Sequence, residues 1–236
     1  MTWKTHILGG IQAGIVMAAV TNAEPNVALM EIGMASLGSI LPDIDQPNSK
    51  ISRSDIALGF TSKQLSKITK HRREVHTVWA SFLFAILGVA FLSIATTASA
   101  SGFSFLVGLI LAIIIDLVGF KIGIPMGIIC ILVLPQFVNL SFITLDSKLI
   151  LPLSIALFIG CLSHLLYDTF NIQGIMWLHP FKKKRYKIGK IQTQSKEETF
   201  FRVVMILFTL ILFMIFQPFG DKLFIELFNY KELFNS

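Results

Sequence analysis

Four long stretches of the sequence contain no aspartate, glutamate, lysine or arginine: residues 77–115, 122–145, 149–167 and 203–220. A helix that crosses the hydrocarbon core of a bilayer needs about 20 consecutive apolar residues. The whole chain is 54% hydrophobic and only 14% charged, whereas soluble proteins carry about 25% charged residues. These features exclude a soluble globule and predict an all-α, polytopic membrane helical bundle.

Turn-forming and charged residues divide the apolar sequence into seven predicted crossings, with an uncertainty of one. They span residues 7–20, 27–41, 78–98, 103–118, 121–138, 150–167 and 200–218. Gly9, Gly10 and Gly14 favour close helix packing in the first segment over a cleaved signal peptide. We therefore predict a single membrane-embedded domain over residues 1–220 and an amphipathic tail over residues 221–236.

The positive charges are concentrated in two loops. The chain has 20 lysines and arginines and a net charge of +6, and residues 42–77 and 168–199 contain seven of these cations each. The positive-inside rule predicts that both loops are cytoplasmic. Anionic lipid head groups are the predicted partners of these loops, because the clusters lack the interleaved aromatic residues typical of nucleic-acid binding. The sequence leaves the oligomeric state open.

Histidine and carboxylate side chains from five separate segments fall at the same predicted membrane face. They are His6, Asp43, Asp45, His71, His76, His164, Asp168, Glu197 and Glu198. His164 and Asp168 are four residues apart, so both side chains lie on one face of a helix and can reach one ion. Asp43 and Asp45 follow Pro42, which favours an extended or turn conformation in which the two carboxylates share one ion or diverge to two.

Imidazole and carboxylate ligands without thiolate predict a divalent transition metal, with zinc first and manganese second. Both cysteines, Cys130 and Cys161, lie inside apolar segments and predict no metal site or disulfide framework. Because a catalytic zinc takes three protein ligands, eight candidates suffice for two ions, or at most three: His6, Asp43, Asp45, His71, His76, His164, Asp168 and Glu198.

Two such ions suit an in-line displacement at phosphorus, which predicts phosphoester hydrolysis. Asp45 is the preferred proton acceptor, and Glu198 is the alternative. Arg72, Arg73 and the basic run at residues 182–187 are the predicted binding groups for an anionic substrate.

The segments that carry these residues resemble a known family. His6 is followed by SILPDIDQPNS, HRREVHT, GCLSHLLYDTFNIQGIMWLHPF and TQSKEETFFR, in the order found in bacterial inner-membrane metal-dependent hydrolases of the YdjM type. This resemblance covers nearly the whole chain, and the family is in turn distantly similar to secreted zinc-dependent phospholipases C and single-strand nucleases. It implies a multi-pass protein of the bacterial inner membrane whose metal site is formed by the same eight residues.

The sequence departs from the family pattern at several positions. Residues 71–77 correspond to the family's HRGxTHS pattern. In this chain Arg73, Val75 and Thr77 replace the glycine, threonine and serine, and both histidines are kept. Loss of the glycine predicts a less close approach of phosphate to the backbone, and Arg73 becomes a candidate for binding phosphate directly. The family's TGSxxE pattern corresponds to residues 193–198, with Gln194 at the glycine position and Glu198 as the glutamate.

The leading prediction is a membrane-bound metal-dependent hydrolase that acts at the cytoplasmic face on a phosphoester of a membrane lipid or on a polyprenyl phosphate. One alternative is a divalent-metal transporter or sensor, which predicts ligands near the bilayer midplane along a pathway. A second alternative is a scaffold whose basic loops dock a cytoplasmic partner.

Overall fold

The computed structural model describes residues 1–45, 63, 75–97 and 147–216. These residues form five α-helices: α1 at Trp3–Thr21, α2 at Pro25–Gly38, α3 at Val78–Thr97, α4 at Ile150–Thr169 and α5 at Lys196–Phe216. Short 3₁₀ helices cover Leu41–Asp45 and Ser147–Leu149. No strand occurs in the described ranges, where only two isolated β-bridges are found.

The predicted helical class is confirmed, and each α-helix coincides with a predicted apolar segment. Three helical stretches are long and apolar enough to cross a membrane, namely Pro25–Asp45, Ser147–Thr169 and Lys196–Phe216, and Val78–Ser93 is a shorter apolar helix. The predicted crossings at 103–118 and 121–138 and the tail at 221–236 lie outside the described residues. The count of seven crossings therefore stays a prediction.

A tight turn joins α1 to α2. Asn22 has a left-handed backbone with φ of 48°, and the N–H of Ala23 donates to the carbonyl of Ala18 at 3.0 Å. Pro25 then occupies the first turn of α2, where its missing N–H costs nothing. This hairpin makes α1 and α2 antiparallel, so the start of α1 lies beside the end of α2.

Helix α4 is central to the described bundle, because it packs against α1, α2 and α3, while α5 packs against α1. Two glycines allow the closest approaches. A Cβ atom at Gly10 of α1 would lie 2.7 Å from the carbonyl oxygen of Ala35, and one at Gly160 of α4 would lie 2.7 Å from the carbonyl carbon of the same residue. Both helices therefore meet α2 backbone to backbone, as small residues permit in membrane bundles.

The outer faces of the bundle are apolar. In α5 only Glu198, Met205 and Leu212 are buried, and the exposed side chains include Phe200, whose exposed fraction is 72%. A soluble protein rarely exposes contiguous apolar surface of this kind. The outer face of α5 is therefore suited to contact with lipid.

We expect Gly160→Leu to destabilise the protein, because the new side chain would collide with the Ala35 backbone. Overpacking of this kind typically costs about 1–3 kcal/mol. The matched control is Gly33→Leu on α2, where an added Cβ meets nothing within 4 Å among the described residues. Thermal unfolding in detergent should show a lower Tm for Gly160→Leu alone. Equal melting temperatures for the two variants would contradict this packing.

Candidate metal centre

Four chain segments bring histidine and aspartate side chains together at one end of the bundle. His6 comes from the first turn of α1 and His76 from the residues just before α3. His164 and Asp168 come from the last turns of α4, as their spacing predicts, and both are buried. Asp43 comes from the 3₁₀ helix that follows α2.

The start of α3 fixes the position of His76. The Thr77 hydroxyl accepts a hydrogen bond from the Ala80 N–H at 3.1 Å, so Thr77 is the N-cap of α3. The Val78 N–H donates to the carbonyl of Trp177 at 3.0 Å, which ties this turn to the loop after α4. His76 immediately precedes the cap and is fully buried. Threonine at position 77 thus caps α3.

The two carboxylates of the 3₁₀ helix point to different edges of one imidazole. Side chains two positions apart in a 3₁₀ helix diverge by about 120°. Asp43 Oδ1 lies 3.5 Å from His76 Nε2, whereas Asp45 Oδ2 lies 3.9 Å from His76 Nδ1. The segment is therefore turn-like rather than extended, and its carboxylates diverge.

Two overlapping groups of potential metal ligands share His164. One contains His6, Asp43 and His164, the other His76, His164 and Asp168, and within each group the ligand atoms lie within 4.8 Å of one another. His164 Nε2 is 3.7 Å from Asp168 Oδ2 and 3.8 Å from Asp43 Oδ1. Ligand atoms around a tetrahedral zinc ion are about 3.4 Å apart, given bonds of about 2.0–2.1 Å. The cluster is thus close to the spacing of a coordination sphere.

A backbone carbonyl sets the tautomer of His164. Its Nδ1–H donates to the carbonyl of Ser39 at 2.7 Å, because a carbonyl oxygen can only accept. Ser39 is the C-cap of α2, so its carbonyl has no intrahelical donor and is available. The Nε2 atom of the neutral ring is then left with its lone pair facing the cluster, which is the arrangement of a metal-binding histidine.

Buried nitrogen atoms in the cluster fit a metal. Neither ring nitrogen of His6, nor Nε2 of His164, has a hydrogen-bond partner among the described residues, and both rings are fully buried. The two rings stack with their centroids 3.7 Å apart. Leaving a buried polar group without a partner costs about 1–3 kcal/mol. A divalent ion held by these nitrogens and the neighbouring carboxylates would remove that cost.

One edge of the cluster is accessible. His6, His76, His164 and Asp168 are almost completely buried, but the side chain of Asp43 is 16% exposed. Asp168 Oδ1 accepts a hydrogen bond from the Met1 nitrogen at 2.7 Å and lies 3.5 Å from His6 Nε2. Asp43 is therefore the most exposed side chain of the cluster.

Glu198 is engaged in hydrogen bonds and belongs to neither group of ligands. Its Oε1 atom accepts from the Thr2 N–H at 2.6 Å, from the Thr2 hydroxyl at 2.9 Å and from the Thr5 hydroxyl at 2.8 Å. Its Oε2 atom accepts from the Gln194 N–H at 2.7 Å. Gln194 itself has φ of 65°, a left-handed conformation that glycine adopts more readily than other residues.

The other predicted site residues have different outcomes. His71, Arg72 and Arg73 lie outside the described residues, so their roles stay predictions. Sequence reasoning missed Ser39, which acts through its carbonyl, and Thr2 and Thr5, which bind Glu198. A backbone carbonyl leaves no signal in residue identity. For the contacts of Glu198, the available sequence signal was the presence of two threonines, Thr2 and Thr5, close to His6.

These observations define a helical membrane protein with a cluster of histidine and aspartate side chains at one end. A family model described as "YdjM inner membrane protein" matches residues 1–224, and the chain belongs to this family. Its name and the apolar helices place the chain in an inner membrane. No curated protein and no solved structure matches the chain.

We expect His164→Ala to lose most of the bound metal, because His164 belongs to both ligand groups. The control is His179→Ala, since His179 lies in the loop after α4 and in neither group. Parent protein purified without chelator and desalted should contain at least one transition-metal ion per chain, with zinc favoured. A parent free of metal, or equal metal contents in both variants, would contradict a metal centre here.

Proposed function

We propose that this protein is a membrane-bound, metal-dependent hydrolase of phosphoesters, with zinc as the preferred metal. The observation that carries the proposal is the buried cluster of three histidines and two aspartates with one accessible edge at Asp43. Structural zinc sites are closed and usually rich in cysteine, whereas catalytic sites keep one position open. The accessible edge therefore favours chemistry over a purely structural ion.

The ligand set suits hydrolysis at phosphorus. A bound divalent ion would polarise a phosphoryl oxygen and activate water at neutral pH. His6, Asp43, His76, His164 and Asp168 would hold one or two ions. The spacing of the two overlapping groups around His164 supports this ligand set.

Asp45 is the proposed proton acceptor. It is buried beside the cluster, and its Oδ2 atom lies 3.9 Å from His76 Nδ1. A buried carboxylate beside the cluster can receive a proton from a reacting water. Arg72 and Arg73 are proposed to bind the substrate phosphate, because they precede His76 by only a few residues.

The loop at residues 170–195 supports a lipid-linked substrate and an anionic surface as partner. It is tied to the end of α4, because the Trp177 indole N–H donates to the Thr169 hydroxyl at 3.0 Å and the Ile188 N–H donates to the Thr169 carbonyl at 2.9 Å. Phe181 is 77% exposed, and the lysines at positions 182–184 are exposed beside it. Basic and apolar side chains in one segment suit the head-group region of a membrane. We therefore propose a phosphoester of a membrane lipid, or a polyprenyl phosphate, as substrate.

A transporter is less well supported than a hydrolase. Transporter sites lie near the bilayer midplane, where helices are interrupted. Here the ligands lie in the first turn of α1, after the end of α2, before α3 and in the last turns of α4. A position at the helix ends favours a reaction at the membrane surface.

We expect the ligand cluster to face the cytoplasm in a multi-pass arrangement, because the loop 168–199 contains seven cations. In a variant with Cys130 and Cys161 replaced by serine, single cysteines at Gln192 and Asn26 would mark opposite ends of the bundle. A membrane-impermeant maleimide should label the Asn26→Cys protein in intact cells, and the Gln192→Cys protein only after permeabilisation. The reverse pattern would overturn this orientation.

We expect Asp45→Asn to keep most of the bound metal but to lose turnover by about a hundred-fold or more, because loss of a general base typically has that effect. The assay is hydrolysis of a panel of lipid phosphoesters in mixed micelles, with metal content measured on the same samples. Asp168→Ala is the comparison variant and should lose both metal and turnover. Full turnover in Asp168→Ala, on any substrate that the parent hydrolyses, would contradict the proposed mechanism.

A further inference from the structure

We infer that Glu198 is a positioning residue that holds the first turn of α1, and with it His6, in the ligand cluster. This inference rests on the proposed metal centre. It assigns Glu198 a role different from the metal ligand or proton acceptor that the sequence predicts. The assignment follows from the four hydrogen bonds that the carboxylate accepts, from its burial and from the helix that it caps.

Both oxygens of the Glu198 carboxylate accept hydrogen bonds. Oε1 accepts three hydrogen bonds of 2.6–2.9 Å from Thr2 and Thr5, and Oε2 accepts one of 2.7 Å from Gln194. The Glu198 side chain is fully buried. An ionised carboxylate has about four acceptor positions in all. Oε1 is therefore fully engaged by Thr2 and Thr5, and the Gln194 N–H holds Oε2, so four hydrogen bonds fix the carboxylate between α1 and the start of its own helix.

Glu198, on another helix, accepts a hydrogen bond from the backbone N–H of Thr2, the N-cap residue of α1. The first turn of α1 contains no acidic residue, and its N-cap residue, Thr2, makes no capping hydrogen bond of its own. The first N–H groups of a helix have no intrahelical acceptor, and negative charge is stabilising beside them. Glu198 supplies both an acceptor and the negative charge.

This anchoring reaches His6 directly. Thr5, one of the Glu198 donors, immediately precedes His6, and the N–H groups of Thr5 and His6 both donate to the carbonyl of Thr2, at 3.0 and 3.2 Å. Thr2 and Thr5 are thus held by Glu198 on either side of the turn that orients the His6 ring. His6 in turn stacks on His164 at 3.7 Å and belongs to one ligand group with it.

The local sequence also explains why Glu198 is available to α1. Ser195 is the first member of an S-x-x-E pattern, and its hydroxyl accepts from the Glu198 N–H at 3.2 Å. In a capping box the glutamate side chain returns to the start of its own helix. Here one oxygen binds the Gln194 N–H at that start, and the other is free to cap α1.

The test compares Glu198→Gln and Thr5→Val with the control Thr199→Val. Thr5→Val removes one donor and leaves the carboxylate unchanged, so it separates positioning from proton transfer. Thr199 lies on the same helix and is exposed. Among the described residues, its hydroxyl donates to the Ser195 carbonyl and accepts from Arg202, and it makes no hydrogen bond with α1. Zinc affinity is measured in detergent by competition with a chromophoric chelator, alongside the melting temperature of the metal-free protein.

We expect Glu198→Gln and Thr5→Val each to weaken zinc binding by about ten-fold or more, the range seen when partners of metal ligands are removed. Excess zinc should restore hydrolysis towards the parental rate in Thr5→Val. Thr199→Val should retain parental zinc affinity. A weaker zinc affinity with an unchanged melting temperature of the metal-free protein distinguishes positioning of His6 from general destabilisation.

Other outcomes for zinc affinity and turnover would overturn the inference. Parental zinc affinity in Thr5→Val, together with full zinc but lost turnover in Glu198→Gln, would identify Glu198 as a proton acceptor and overturn the inference. If Glu198→Gln does not fold, parental zinc affinity in Thr5→Val alone overturns it. If the parent itself binds no zinc, the proposed function fails, and the inference fails with it. A parent that binds zinc and hydrolyses substrate while both variants match it would overturn only the inference.

Discussion

The burial of imidazole and carboxylate groups at one end of an apolar bundle is the constraint on which the rest of this structure depends. His6 and His164 present buried ring nitrogens without hydrogen-bond partners in the described part of the chain. Asp43 and Asp168 add negative charge within 4 Å of these rings. Charges in such surroundings need a compensating partner. The Met1 nitrogen pairs with Asp168 at 2.7 Å, and we propose a divalent cation as the partner shared by the imidazoles and Asp43.

Close helix packing makes this convergence possible. Gly10 and Gly160 let α1 and α4 approach the backbone of α2 at Ala35. That approach brings the end of α2 within hydrogen-bond reach of His164, whose Nδ1 atom binds the Ser39 carbonyl. The cluster at the helix ends therefore depends on the glycines within the helices. A wider spacing of the helices would separate the histidine and aspartate side chains.

Much of this arrangement could be predicted from the sequence. Uncharged stretches predicted the helices, and the i, i+4 spacing of His164 and Asp168 placed both residues on one face of α4, because these patterns report directly on helical geometry. The partners of Glu198 could not be predicted, since three of its contacts join residues more than 190 positions apart in the chain. The 3₁₀ form of the Asp43–Asp45 turn and the role of the Ser39 carbonyl likewise depend on tertiary packing rather than on residue type.

We propose that histidine nitrogens and aspartate oxygens of the cluster hold a metal ion. X-ray absorption at the zinc edge of the purified, zinc-loaded protein tests it most directly, because it reports the atoms bound to the ion. We expect a first shell of nitrogen and oxygen atoms at about 2.0–2.2 Å, with outer-shell scattering from imidazole rings. A sulfur shell at about 2.3 Å, or a first shell without imidazole scattering, would contradict it.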